Sequence, residues 1–159
     1  MAAPVRRSVV KAFYQAFATR DPVKIAPFLA ADVDWMIVGP VDLLRFCGQR
    51  RGKAAVLELF RRTIPEVIHL TGFVQDVLLV DKDRAASYGR LSGVRREDGR
   101  TISYCYAHFL RFAADKVVEF RSVIDSFDAA EQVLGHPFDL SHEAKPGLGD
   151  LKVVNLVPA

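Results

Sequence analysis

The chain of 159 residues is long enough for a single domain with a sizeable core. Its net charge of +3 is too small, and its basic residues are too scattered, to predict binding to nucleic acid. The absence of a long apolar run argues against a membrane protein. Two cysteines, Cys47 and Cys105, in a chain without an apolar leader predict reduced thiols and a cytoplasmic protein.

Hydrophobic periodicity divides the first 135 residues into helices followed by a succession of strands. Val9, Phe13 and Phe17 recur at helical spacing, and Asp21 before Pro22 is typical of a helix start. The predicted elements are helices over residues 4–19, from 22 onwards and over 52–64, a loop over 41–51, strands over 33–38, 67–80, 84–96, 102–112 and 117–127, and a closing helix with a capping box at Asp128 and a stop at Gly135.

The strand over residues 102–112 is the most informative stretch, because side chains on a strand point alternately to opposite faces. One face is aromatic and apolar with one imidazole, which predicts the wall of a ligand cavity or of a core. The milder opposite face suits burial against another molecule. The first face carries Ile102, Tyr104, Tyr106, His108, Leu110 and Phe112, and the second carries Ser103, Cys105, Ala107, Phe109 and Arg111.

Helices that precede an antiparallel meander predict an α+β domain in which a curved sheet wraps the N-terminal helices. Such a sheet forms a cone with an open mouth, a common site for a small apolar ligand. We assign residues 1–135 to this domain and residues 136–159 to a C-terminal extension. Within the extension, residues 151–157 form either an edge strand or an arm over the surface.

The order of elements and several short motifs resemble the SnoaL-like group of the nuclear transport factor 2-like superfamily. The motifs are Trp35, the segment 52–56, the segments 106–109 and 116–121, and Asp125. The resemblance covers residues 5–135 and implies a cone-shaped, mixed sheet. Ketosteroid isomerases and limonene-epoxide hydrolases belong to the same superfamily.

The resemblance does not carry over the isomerase mechanism residue by residue. Ketosteroid isomerases use a tyrosine and an aspartate, and the matching positions here are Phe13 and Ile37, which can neither donate nor accept a proton. Tyr14 lies roughly 100° round the helix from Phe13, so we expect it to point elsewhere. Asp34 is a further substitute on the first strand.

The catalytic groups of the limonene-epoxide hydrolases are also missing. The matching positions of their Asp-Arg-Asp network are Tyr88, Arg90 and Ser122, so both carboxylates are missing. SnoaL-type cyclases hold a pocket histidine where this chain has His108, and imidazole can donate or accept a proton near neutrality.

From these comparisons we predict three catalytic residues. His108 is the acid/base, although a structural buried imidazole is an equal alternative. Arg90 is an oxyanion partner if its side chain points inward. Asp125 is either an acid that turns inward or a helix cap. The predicted pocket residues are Phe13, Phe17, Trp35, Tyr88, Tyr106, Phe120 and Ser122.

The leading functional hypothesis is a proton-transfer enzyme, an isomerase or cyclase, that acts on a small apolar carbonyl compound. One alternative is a non-catalytic binding protein on the same fold. Another is a scaffold that forms a homodimer through the outer face of the sheet. No cofactor, metal, nucleic acid or membrane partner is expected, since histidines and cysteines lack ligand spacing.

Overall fold

We analysed a computed structural model of the chain, in which residues 3–138 are described. Most of the predicted extension, residues 139–159 with the 151–157 segment, therefore lies outside the described residues. The elements are helices α1 (Arg7–Thr19), α2 (Pro22–Ile25), α3 (Lys53–Glu58), α4 (Ile64–Val67) and α5 (Ser126–Leu134), and strands β1 (Leu29–Val38), β2 (Gly48–Arg51), β3 (Ile68–Asp81), β4 (Arg84–Arg95), β5 (Thr101–Ala113) and β6 (Lys116–Ile124).

The strands form one six-stranded sheet in the order β2-β1-β6-β5-β4-β3. The sheet is curved and does not close into a barrel. Together with the N-terminal helices it confirms the predicted α+β class. Strands β1 and β6 pair in parallel, and every other pair in this sheet is antiparallel. The first strand thus lies beside the last one.

Strand β2 corrects the prediction of a loop over residues 41–51. The segment Gly48–Arg51 pairs antiparallel with β1, with Arg50 opposite Trp35. Its sequence, Gly-Gln-Arg-Arg, has no apolar alternation, and backbone pairing with a long neighbouring strand is what holds it in the sheet.

The alternation predicted for β5 is confirmed. All six residues of the aromatic face are buried, from Ile102 to Phe112, while Phe109 on the other face is 53% exposed. The buried face packs toward α1, whose Phe13 and Phe17 are also buried. The inner face of the sheet and α1 therefore enclose the core.

The predicted helix over 52–64 is divided in the structure. Helix α3 passes into a π-helical turn over Leu59–Thr63, and α4 then continues through Pro65, which was expected to end the helix. Pro65 is the second residue of α4, which follows the π-helical turn directly, so the change in the helical hydrogen-bond pattern coincides with the residue that lacks an N–H.

The closing helix begins earlier than predicted. Its N-cap is Asp125, whose Oδ1 accepts a hydrogen bond of 3.2 Å from the backbone N–H of Asp128. The capping box at Asp128 was therefore wrong. Gly135 ends the helix in a left-handed conformation, as predicted, with φ of 80°.

No helix within residues 3–138 has the length and hydropathy that crossing a membrane would require.

Candidate functional site

Three polar residues lie in one row across the inner face of the sheet. His108 on β5 is opposite Ser87 on β4 and opposite Ser122 on β6. All three are at least 97% buried, in a core that is otherwise hydrophobic. Buried polar groups are expensive in such surroundings, so a row of them marks the best candidate for chemistry.

Aromatic rings surround His108. Its ring stacks on Tyr106, with 4.1 Å between ring centroids, and the Tyr14 hydroxyl lies 3.5 Å from Nδ1. Burial, and secondly the positive charge of Arg20, hold the pKa of His108 well below its usual range. The imidazole is therefore neutral at pH 7.

A cavity of about 40 Å³ opens beside His108. It has room for roughly three water-sized spheres, so the surrounding side chains nearly fill it. The described lining contains no carboxylate, and Arg20 is its one group with a full charge at neutral pH. The lining residues are Phe17, Arg20, Trp35, Ile37, Phe46, Phe60, Ile64, Ile68, Leu70, Leu91, Tyr104, His108, Phe120, Ser122 and Ile124.

The structure brings four of the seven predicted pocket residues to this cavity, namely Phe17, Trp35, Phe120 and Ser122. Trp35 and Phe120 stack face to face with 3.7 Å between centroids.

The other three predicted pocket residues lie elsewhere. Tyr106 supports His108 from the side, and its hydroxyl donates to the backbone oxygen of Val74. Phe13 packs in the core against Phe112. Tyr88 is 47% exposed and points away from the cavity.

Two of the predicted catalytic residues also lie outside the cavity. Arg90 is exposed on the outer face of the sheet, where Nη2 is 3.3 Å from the Sγ atom of Cys105. Asp125 caps α5 and is exposed. Asp34, the possible substitute on the first strand, accepts hydrogen bonds from Gln49 and Arg121 instead. His108 alone of the catalytic set lines the cavity.

Two residues at this site were missed by the sequence analysis. Tyr14 was expected to point elsewhere, yet its hydroxyl reaches His108, because the core surrounds α1 widely enough to bury Phe13 and Tyr14 together. Arg20 directly follows α1, and from the sequence it would be assigned to a solvent-exposed helix end. Only its left-handed backbone, with φ of 59°, turns its side chain inward, and the sequence gives no sign of that.

Within residues 3–138, no group of three histidine, cysteine or acidic side chains is placed to hold a metal ion.

Comparison with known proteins agrees with this architecture. Residues 10–120 match the family model described as the SnoaL-like domain. The chain is similar to a crystal structure from Rhodopseudomonas palustris described as a candidate isomerase, with 34% identity, a TM-score of 0.70, and coverage of 80% of this chain and 93% of that one.

Two further structures share the fold. A nuclear transport factor 2-like protein from Burkholderia thailandensis has 25% identity and a TM-score of 0.70, covering 83% of this chain and 98% of its own. TerC, co-crystallised with polyporic acid, has 18% identity and a TM-score of 0.67, covering 80% and 96%. No curated protein matches the sequence.

The fold, together with the family match and the similar structures, places the chain in the nuclear transport factor 2-like superfamily. Within that superfamily, the chain belongs to the SnoaL-like family.

Proposed function

We propose that this protein is an isomerase or cyclase that moves a proton on a small, largely apolar carbonyl compound. The observation that carries the proposal is the position of His108, which is 1% exposed and lines an apolar cavity. The family and its similarity to a candidate isomerase support the reaction class. Cytoplasmic location, supported by two free thiols, is part of the same proposal.

In this proposal the neutral His108 accepts a proton from the carbon next to the carbonyl group. The electron pair of the broken C–H bond moves onto the carbonyl oxygen, which becomes an enolate. The imidazolium then returns this proton, either to the enolate oxygen or to a different carbon. Tyr14 positions the ring through its contact with Nδ1.

Deuterium exchange tests this chemistry without knowledge of the product. A panel of small acyclic ketones is incubated with the protein in D₂O, and loss of the α-proton signal is followed by NMR. Wild-type protein should accelerate exchange of at least one ketone, and His108→Gln should lose that acceleration by about 100-fold or more. Asp125→Asn is the control, because its side chain lies outside the cavity and should leave the rate unchanged.

If exchange is equally fast in His108→Gln, the assignment of His108 is wrong. If wild-type protein does not accelerate exchange of any ketone, the protein is better described as a binding protein. That second function is favoured by one observation, the lack of a carboxylate in the described cavity lining.

A further inference from the structure

Two hydrogen-bond donors are buried without a partner in the described part of the chain, and they are Nη2 of Arg20 and Nε1 of Trp35. Buried donors are nearly always paired, because an unpaired one forfeits its hydrogen bonds to water. Both side chains line the cavity beside His108. Two orphan donors at one cavity indicate a missing acceptor there.

The backbone of Arg20 is shaped to bring its side chain into this position. Arg20 ends α1 in a left-handed conformation, φ 59° and ψ 8°, while its N–H donates to the backbone oxygen of Phe17. Glycine is the usual residue for this conformation. A long side chain in it is uncommon, and such conformations concentrate at functional sites.

Aromatic rings hold the guanidinium group in place. Its carbon lies 4.0 Å from the ring centroid of Phe17 and 5.5 Å from that of Phe73. Cation–π contacts of this kind orient the group, but they supply no acceptor for its N–H bonds.

The positive charge of Arg20 also lacks a counter-charge. Among residues 3–138, no acidic side chain forms an ion pair with Arg20. The cavity lining contains no carboxylate, and the nearby His108 is neutral. A cation in apolar surroundings is costly unless an anion accompanies it.

We propose that the cavity binds the carboxylate of a small organic acid between the guanidinium of Arg20 and the indole N–H of Trp35. Both donors would then be paired and the charge neutralised. A carboxylate has three heavy atoms, a size that suits a cavity of about 40 Å³. The apolar part of the acid packs against the aromatic lining, such as Phe60 and Phe120. This inference names small organic acids as the substrate class of the proposed enzyme. It rests on the proposed function only in assuming that a small molecule binds at this site.

Trp35 provides a direct readout, because it is the single tryptophan of the chain and gives one indole N–H signal in a ¹H–¹⁵N spectrum. Wild-type protein is titrated with acetate and propionate, and separately with the neutral acetamide and propionamide. At least one acid should shift the indole signal in a saturable manner, and the corresponding amide should bind at least about 10-fold more weakly.

Variants of Arg20 identify the group that binds the acid. Arg20→Met should weaken acid binding by about 10- to 100-fold, since a charged hydrogen bond is lost, and Arg20→Lys should retain part of the affinity. Arg84→Met is the matched control, because Arg84 is exposed, and its affinity should stay within about twofold of wild type.

The proposal is overturned if neither acid shifts the indole signal, if acid and amide bind equally well, or if Arg20→Met binds like wild type while remaining folded. Binding is measured without turnover, so failure of the proposed catalysis has a separate signature. In that case His108→Gln and wild-type protein would bind the acid alike and exchange no ketone protons.

Discussion

Replacing Arg20 by methionine should stabilise the unliganded protein, although it removes the guanidinium group that packs on Phe17. Burial lowers the pKa of Arg20 to about 10. That reduction corresponds to about 3 kcal/mol by which the folded state disfavours the charge. Loss of the cation–π contact with Phe17 offsets about 1–2 kcal/mol, while methionine keeps most of the apolar stem. The expected net gain in the free energy of unfolding is about 1–2 kcal/mol.

Urea unfolding followed by the fluorescence of Trp35 measures this change, and thermal unfolding checks it. For a chain of this size the melting temperature should rise by about 2–8 °C. Arg20→Lys, which keeps the charge, should not show the gain, and Arg84→Met at the surface should change the stability by less than about 0.5 kcal/mol. A loss of 1 kcal/mol or more in Arg20→Met would mean that the charge is already compensated in the unliganded protein.

Three other predictions test the pH response, the packing and the assembly. Because burial lowers the pKa of His108, the unfolded chain binds a proton below about pH 6.5 that the folded chain does not, so the free energy of unfolding should fall by up to about 1.4 kcal/mol per pH unit as the pH drops. Urea unfolding at pH 7 and pH 5.5 should show a smaller loss of stability for His108→Gln than for wild type. An equal loss in the two proteins would contradict the lowered pKa of His108. Gly89→Ala should cost more than about 3 kcal/mol, because a Cβ atom there would lie 1.9 Å from a backbone oxygen of the adjacent strand, whereas Gly99→Ala, with open space but φ of 71°, should cost about 1–2 kcal/mol in the same assay. If the predicted homodimer forms through the outer face of the sheet, Phe109→Glu should convert it to a monomer in light scattering, and a wild-type monomer at high concentration would refute the dimer.

The fold was largely predictable, because most strands can be recognised from the alternation of their side chains between a buried and an exposed face. Strand β5 shows why: the six residues predicted for its aromatic face are all buried, and the five residues between them are more exposed. Segment 48–51 gave no such signal, since it is polar throughout and depends on β1 for its hydrogen bonds. The π-helical turn over Leu59–Thr63 could not be predicted either, because it changes the spacing of the apolar residues too little to be distinguished from an α-helix.

The site was only partly predictable. His108 could be identified because it is a lone titratable residue on an aromatic strand face. Arg20 could not, because its position at the cavity depends on one backbone angle rather than on residue pattern. Arg90 is exposed, and its placement depended on which face of β4 turns inward, a choice that local sequence did not decide.

Because β1 pairs in parallel with β6, we expect the site to form late in folding. Trp35 and Phe120 are far apart in sequence and meet face to face only when these two strands pair. Closing so long an intervening segment is entropically slow compared with forming the hairpins of β3, β4 and β5. A truncated chain that ends before β6 would therefore lack Phe120, Ser122 and Ile124, and with them one side of the cavity lining.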